Sequence, residues 1–410
     1  MQSPQDQIEV LVRTITSTAW RAMAAVGVLA FAGLSAAAQK PVPPYAVAGY
    51  VFPRNRLLAP NEVHASALTR IYYAFAAIQN GRLVEGPPLE AQNLAQLTGL
   101  RKQNPSLQVL VSVGGWGGSG EFSNVALTAE SRAKFASSAV DFLRRHNLDG
   151  LDVDWESPGM PGAGHVFRPE DKQNFTLLLQ ELRARFDQEQ KPPKRRWLLT
   201  IAAGASTDYL AHTEMDKVQR YVDAVNLMSY DYAVPSAGAL TGHNAPLFTN
   251  PAAPSQQSAD VSVRAFERAG VPSRKILLGV PFYSRVWMQV PDRNHGLFQP
   301  GKPSPDDFAP FSAIAQKMLG HGFTRYWDKT AEAPYLYNPA TQEFVSCDDA
   351  ASLEAKCAYV KTHRLGGIMF WEYLDDPSGE LVTTMDRALD PPAKATGACR
   401  TGSDPDCSRR

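Results

Sequence analysis

Short β-rich runs alternate with segments of helical period from Pro41 onward, and this alternation limits the fold more than any other feature. The runs are Tyr45–Phe52, Arg70–Ile78, Leu107–Val113, Gly150–Trp155, Trp197–Ala203, Ala224–Tyr230, Lys275–Phe282 and Gly366–Trp371. Each is rich in Val, Ile, Leu, Tyr or Phe, and most end on Gly, Pro or a polar residue. Between them, Phe135, Ala139, Phe142 and Leu143 share one face of a stretch that opens at Thr128, a favoured N-cap type. Phe175, Leu178, Leu179, Leu182 and Phe186 do the same after Pro169, which suits a first helical turn. Strands separated by helices make βαβ units and a parallel sheet. Eight such units predict an α/β fold, a closed (β/α)8 TIM barrel. An open doubly wound sheet is the competing arrangement, but no Gly-x-Gly-x-x-Gly turn follows the first run.

The interval between the seventh and eighth runs breaks the rhythm. It covers about eighty residues, roughly double what one helix and its loops require. Two candidate strands lie within it, around Tyr335–Tyr337 and Glu343–Ser346. They predict an inserted α+β subdomain at 288–359, inside a barrel spanning 41–395. Its aromatic content argues against a long mobile loop, because disordered segments are poor in aromatics. Residues 396–410 are small and polar and read as a C-terminal tail.

The 410-residue chain has a formal net charge of +0, with no long basic run. Neither nucleic acid nor an anionic membrane is therefore the expected partner. At the N-terminus, Arg13 and Arg21 precede an apolar stretch from Ala22 to Leu34, and Ser35-Ala36-Ala37-Ala38 follows. A basic flank, a short apolar core and an Ala-x-Ala end predict a secretory signal peptide over 1–38 and a secreted protein, extracellular or periplasmic. An uncleaved anchor is the alternative, although the apolar run is short for a bilayer. The chain has four cysteines. Cys347 and Cys357 lie close together, as do Cys399 and Cys407, and neither pair has zinc-site spacing. In an oxidising compartment two local disulfides are expected, one per pair, although four cysteines allow three pairings. No metal or cofactor is called for, and a monomer is expected.

The segment Asp149-Gly150-Leu151-Asp152-Val153-Asp154-Trp155-Glu156 carries the chemistry. Parallel barrel strands are normally apolar runs, so its four acids are anomalous. Asp152, Asp154 and Glu156 are spaced by two and share a face. A barrel strand aims that face at the axis, and Glu156 lies at the C-terminal end, where barrel active sites are built. Asp149 has the opposite parity and falls at the strand's start. Three enclosed carboxyls oppose one another's ionisation, so at least one stays protonated near neutral pH. A protonated carboxyl at a barrel mouth is what a general acid requires. A solvated acidic edge does not account for the alternation with Leu151, Val153 and Trp155. A divalent cation is compatible with the acids, since hard cations bind carboxylates.

These residues carry a resemblance to the family 18 glycoside hydrolases, the chitinases. Asp149, Asp152, Asp154 and Glu156 match the family's D-x-x-D-x-D-x-E signature on the fourth barrel strand. Ser112-Val113-Gly114-Gly115 matches S-x-G-G on the third, and Met228-Ser229-Tyr230-Asp231 matches M-x-Y-D on the sixth. Pro281-Phe282-Tyr283-Ser284-Arg285 resembles the seventh-strand P-F-Y-G-R element, with Ser284 in place of Gly. Gly367-Ile368-Met369-Phe370-Trp371-Glu372 resembles the eighth-strand G-x-M-x-W-E element. The late insertion falls where this family has its α+β domain. Within it, Phe344-Val345-Ser346-Cys347-Asp348-Asp349 is similar to a common family segment, with Cys347 where Tyr is usual.

The resemblance implies retaining hydrolysis of β-1,4 N-acetylglucosamine linkages in chitin and chitooligosaccharides, with the substrate's own acetamido oxygen as nucleophile. Glu156 would be the proton donor and later the base. Asp154 would orient the acetamido group, Asp152 would share a proton with Asp154, and Tyr230 would hold the acetamido carbonyl. Asp231, Arg285, Tyr283 and Met228 are expected at the sugar near the cut. Trp371 is expected to floor the site, followed by a cis Trp371–Glu372 bond. For Trp116, Tyr50 and Phe75, ordinary packing is nearly as well supported as ligand contact. Two other functions are compatible with the family: a chitin-binding lectin, whose members replace the acid that this chain keeps at Glu156, and an endo-β-N-acetylglucosaminidase acting on N-glycans, whose members usually lack the insertion.

Overall fold

A computed structural model describes residues 45–86, 88–189 and 196–389. The expected signal peptide, the tail, Cys399 and Cys407 lie outside the described residues. Eight strands form the barrel: β1 (Ala46–Val51), β2 (Arg70–Gln79), β3 (Gln108–Gly114), β4 (Gly150–Asp154), β5 (Leu198–Gly204), β6 (Ala224–Met228), β7 (Ile276–Pro281) and β8 (Gly367–Trp371). Each pairs in parallel with the next. The sheet closes where β8 pairs with β1, Ala46 opposite Gly367 and Gly49 opposite Phe370. The expected TIM barrel is therefore what forms, and the strands match the β-rich runs to within one or two residues.

Strand alternation divides the core into two layers. Outward residues such as Val111, Leu151, Val153, Ile201, Leu278 and Ile368 pack under the helices. Inward residues, among them Ala48, Tyr50, Tyr72, Leu110, Leu277 and Met369, fill the barrel. Helix Ala129–Arg145 starts where the sequence predicts: Thr128 caps it, accepting from the Ser131 N–H, while the Ser131 side chain returns to the cap. Its Phe135, Ala139, Phe142 and Leu143 are buried. Helix Asp171–Glu189 buries Phe175, Leu178, Leu179, Leu182 and Phe186.

The chain leaves β7 through Phe282 directly into a second, antiparallel sheet. Strand Tyr283–Met288 pairs with Lys302–Pro303, Ala309–Pro310 and Glu343–Ser346. Ala333–Asn338 and Thr324–Asp328 complete the sheet on the far side of Glu343–Ser346. Trp287, Val290, Leu297, Tyr335, Tyr337 and Phe344 form a separate small core there. The sheet begins at Tyr283, upstream of the boundary read from sequence, because β7 and its successor are one nearly continuous extended segment.

The disulfide expected between Cys347 and Cys357 does not form: both are buried free thiols. Cys357 lies in helix Ala350–His363, two turns beyond its N-cap Asp349. That is about 12 Å along the axis at 1.5 Å per residue. A disulfide needs Cα atoms roughly 4.4–6.8 Å apart. Proximity in sequence misleads here because a helix intervenes. Burial pushes both thiols up, Cys357 to about 12.

Candidate active site

The site is built at the C-terminal end of the barrel around β4. Asp152 lies lowest and is fully buried. Its Oδ2 accepts from Tyr50 Oη and Ser112 Oγ, both at 2.8 Å. Its Oδ1 accepts from Thr200 Oγ1 at 2.6 Å and Asn226 Nδ2 at 3.1 Å. Four other strands thus supply one donor each, β3 and β5 from either side of β4, and β1 and β6 from further round the barrel. Burial raises the Asp152 pKa, and these four hydrogen bonds act against the rise.

Asp154 stands one step higher and is 4% exposed. Its Oδ1 is buried without a hydrogen-bond partner. Burial, then the charges of Glu156 and Asp152, hold its pKa well above the carboxylate range. Its backbone carbonyl is clamped by Gly115 N–H and Ser119 Oγ, each at 2.9 Å. This close approach explains the paired glycines. Gly114 has φ 114, and a Cβ there would lie 2.1 Å from the Asp154 carbonyl oxygen. Gly115 has φ 76, and its Cβ would lie 2.7 Å from the Phe75 ring.

Glu156 lies just past the end of β4, half-buried at the mouth. Its pKa is raised to about 7, first by burial and then by the charge of Asp231, while the Trp116 backbone amide acts the other way. The row therefore carries more carboxyl groups than charges near neutral pH, as the spacing predicts. Asp149 is not in the site. Its Oδ2 accepts from Val109 N–H at 2.7 Å and from Arg101 at 2.6 Å, so it ties β3 to the start of β4.

β6 carries Met228 at its end, packed on the inward cluster, and then Tyr230 and Asp231. The Tyr230 ring stands edge-on to Tyr283 at 6.2 Å. Tyr230 itself is half-buried beside Asp231. Burial, then the charges of Asp154 and Asp231, keep it firmly protonated. Asp231 adopts φ 61, held by a 3.0 Å bond from its N–H to Asn244 Oδ1. Its Oδ1 accepts from Tyr283 Oη at 2.8 Å and from Arg285 Nε and Nη2 at 3.0 and 2.7 Å. Arg285 Nη1 donates to Asp307 Oδ2 at 2.8 Å.

Trp371 ends β8, and its peptide bond to Glu372 is cis, as expected. Its ring meets Phe75 at 5.6 Å and 21°, Tyr50 at 5.5 Å and Phe52 at 5.7 Å. Tyr50 is 2% exposed and lies beneath the site, bonded to Asp152, so it positions a carboxyl instead of lining the opening. Phe75 is half-buried against Trp371, and Trp116 is 65% exposed on the loop after β3. Among the described residues, no group of three or more His, Cys, Asp or Glu side chains could hold a metal ion.

Residues 46–376 match Glycosyl hydrolases family 18. The chain belongs to this family. It is 44% identical to Chitinase A1 of Niallia circulans over 304 residues, covering 70% of this chain and 43% of that protein. It is 34% identical to Chitotriosidase-1 of Mus musculus over 333 residues, 78% of this chain and 70% of that one. A solved family 18 N-acetylglucosaminidase from Paenibacillus barengoltzii aligns with a TM-score of 0.76 and 42% identity, over 84% of this chain and 99% of that chain. The chain therefore spans less than half the length of Chitinase A1.

This family 18 chain also uses residues that sequence reasoning passed over. Thr200 and Asn226 hold Asp152, and both had a signal: each is a lone polar residue in an apolar barrel strand. Glu372, read from sequence only as the end of the eighth-strand element, is buried and accepts from the N–H groups of Phe52 and Leu374 at 3.3 and 3.1 Å. Asn244, Asp307 and Phe308 had no local signal, because only the folded loops bring them to Asp231 and Arg285.

Proposed function

We propose that this family 18 chain is a chitinase that cleaves β-1,4 N-acetylglucosamine linkages with retention, using the substrate's acetamido group as nucleophile. The observation that carries the reading is the trio at the barrel mouth: Glu156 with its pKa near 7, the unpartnered Asp154 Oδ1, and the Tyr230 hydroxyl close enough to feel both charges. A buried polar atom without a partner costs about 1–3 kcal/mol, which a ligand group can restore. An acetamido group offers the matching pair, an N–H for Asp154 and a carbonyl oxygen for Tyr230.

The steps follow from these positions. Glu156, protonated near neutral pH, gives its proton to the glycosidic oxygen as the bond to the anomeric carbon breaks. The acetamido oxygen, held in line by Tyr230 and Asp154, bonds to the anomeric carbon and forms an oxazolinium ion. Asp154 lies beside the positive charge, and the four donors around Asp152 let that carboxyl stay anionic while Asp154 carries the shared proton. Glu156, now a carboxylate, takes a proton from water. That water attacks the anomeric carbon and regenerates the acetamido group. This family is an exception to the two-carboxylate template, so no second protein carboxylate need attack. Trp371 provides the apolar floor for the sugar.

The lectin reading is less well supported, since the acid is present and poised. The antiparallel sheet after β7 favours long linear chains over N-glycan cores. Export rests on the N-terminal leader alone, because Cys347 and Cys357 are free thiols and lend it no support. No helix among the described residues is long and apolar enough to cross a membrane. Product analysis on N-acetylglucosamine hexamer and on its fully deacetylated counterpart tests the reading. The first should yield β-anomeric products and the second should remain intact. Comparable cleavage of the deacetylated chain would rule out substrate assistance.

A further inference from the structure

The geometry points to Phe308 as a sugar-stacking platform on the insertion side of the cleft, holding an N-acetylglucosamine unit of a long chain beyond the sugar under attack. The inference rests on the hydrolase reading above and extends its binding surface.

Phe308 is 59% exposed. Single exposed apolar side chains need no special explanation, but this ring is built into a rigid support. The Arg285 guanidinium carbon lies 3.8 Å from its centroid, and the Tyr283 ring stacks on it at 4.8 Å and 30°. Tyr283 and Arg285 alternate on one face of strand Tyr283–Met288 and both pack against the ring, most of which stays open to solvent. Arg285 itself is only 5% exposed and is fixed at both ends, by Asp231 and by Asp307.

The backbone is anchored as firmly. Ala309 and Pro310 pair with Ser284 and Tyr283. Ser284 Oγ donates to the Ala309 carbonyl at 3.0 Å, and Asp307 Oδ1 accepts from Val286 N–H at 3.2 Å. Ser284 is the departure from glycine in the seventh-strand element. Here its hydroxyl clamps the residue next to Phe308, so the substitution and the platform belong together.

The platform is continuous with the reacting centre. Tyr283 bonds Asp231, and the Asp231 charge helps raise the Glu156 pKa. Arg285 bonds Asp231 and lies against Phe308, so the ring borders the same site. Sugar rings carry apolar C–H faces, and a preorganised aromatic face binds them at little conformational cost.

Calorimetric titration of E156Q with N-acetylglucosamine hexamer and dimer tests this. Adding F308A should weaken the hexamer about tenfold, which at 1.4 kcal/mol per tenfold is within the range of an aromatic contact. The dimer, which seats at Trp371, should change by less than about twofold, and F308W should restore hexamer affinity. Equal weakening of dimer and hexamer would mean that Phe308 acts only by steadying Arg285, which overturns the platform, as would an unchanged hexamer affinity. If E156Q with Phe308 intact bound no N-acetylglucosamine oligomer, the hydrolase reading would fail first and take this inference with it.

Discussion

The Tyr50 hydroxyl donates to Asp152 Oδ2 at 2.8 Å, so the first barrel strand fixes the lowest carboxyl of the fourth. The pair is fully enclosed, and the same oxygen accepts only one other bond, from Ser112. Tyr50→Phe keeps the ring under Trp371 and removes this donor. Loss of a hydrogen bond to a buried carboxyl should cost about 1–3 kcal/mol in urea unfolding. With Asp152 less able to stay anionic, kcat should fall at least about tenfold while KM changes little. A normal kcat in Y50F would detach Asp152 from the reaction.

Glu156 sets the pH dependence. It must be protonated to act as acid, so activity should decline as pH rises through about 7. Burial is the main cause of that value and the Asp231 charge the second. Asp231→Asn should therefore move the alkaline limb to lower pH, as a pH series of kcat/KM would show; a limb that stays in place removes Asp231 from the electrostatics.

The same group predicts a stability profile. Its folded pKa of about 7 lies above the ordinary 4.5, so the folded state binds more protons between these values. Stability from this group is fully present below pH 4.5 and is lost as pH rises through 7. Glu156→Gln should therefore unfold at higher urea than the parent at pH 8, and the difference should vanish near pH 4. A gain of equal size at both pH values would point to packing instead of proton linkage.

Gly114→Ala should be far worse than Gly117→Ala. The first places a Cβ 2.1 Å from the Asp154 carbonyl at φ 114, whereas the second meets nothing within 4 Å. A clash with backbone at a left-handed position should cost about 3 kcal/mol or more. Thermal unfolding of the two variants makes the comparison, and near-equal midpoints would contradict the close approach.

Cys347 and Cys357 should each react with a thiol reagent once the protein is unfolded without reductant, as mass spectrometry of the labelled peptides would reveal. Reductant should leave the unfolding midpoint of the region 45–389 unchanged. Recovery of a linked Cys347–Cys357 peptide would show that the two are not free thiols.

Much of this protein is determined locally. Alternation of apolar and polar positions decides which residues face the barrel axis, because side chains of a strand point to opposite sides. That rule alone places Asp152 and Asp154 inward and keeps Asp149 off their face, where it meets Arg101. The strand boundaries and the Thr128 cap are equally local. What only the tertiary structure decided is what those inward side chains meet. Asp152 gathers donors from residues as distant in sequence as Tyr50 and Asn226, and no pattern along one strand records a neighbour on another. Asp307 and Phe308 reach Arg285 only because the second sheet folds back on β7's continuation. The failed Cys347–Cys357 pairing has the same origin: separation along the chain is not distance in space once a helix lies between two residues. The four acids of the β4 segment were plain in the sequence, but which of them would be charged was decided by the burial and hydrogen bonds that closure of the barrel imposed.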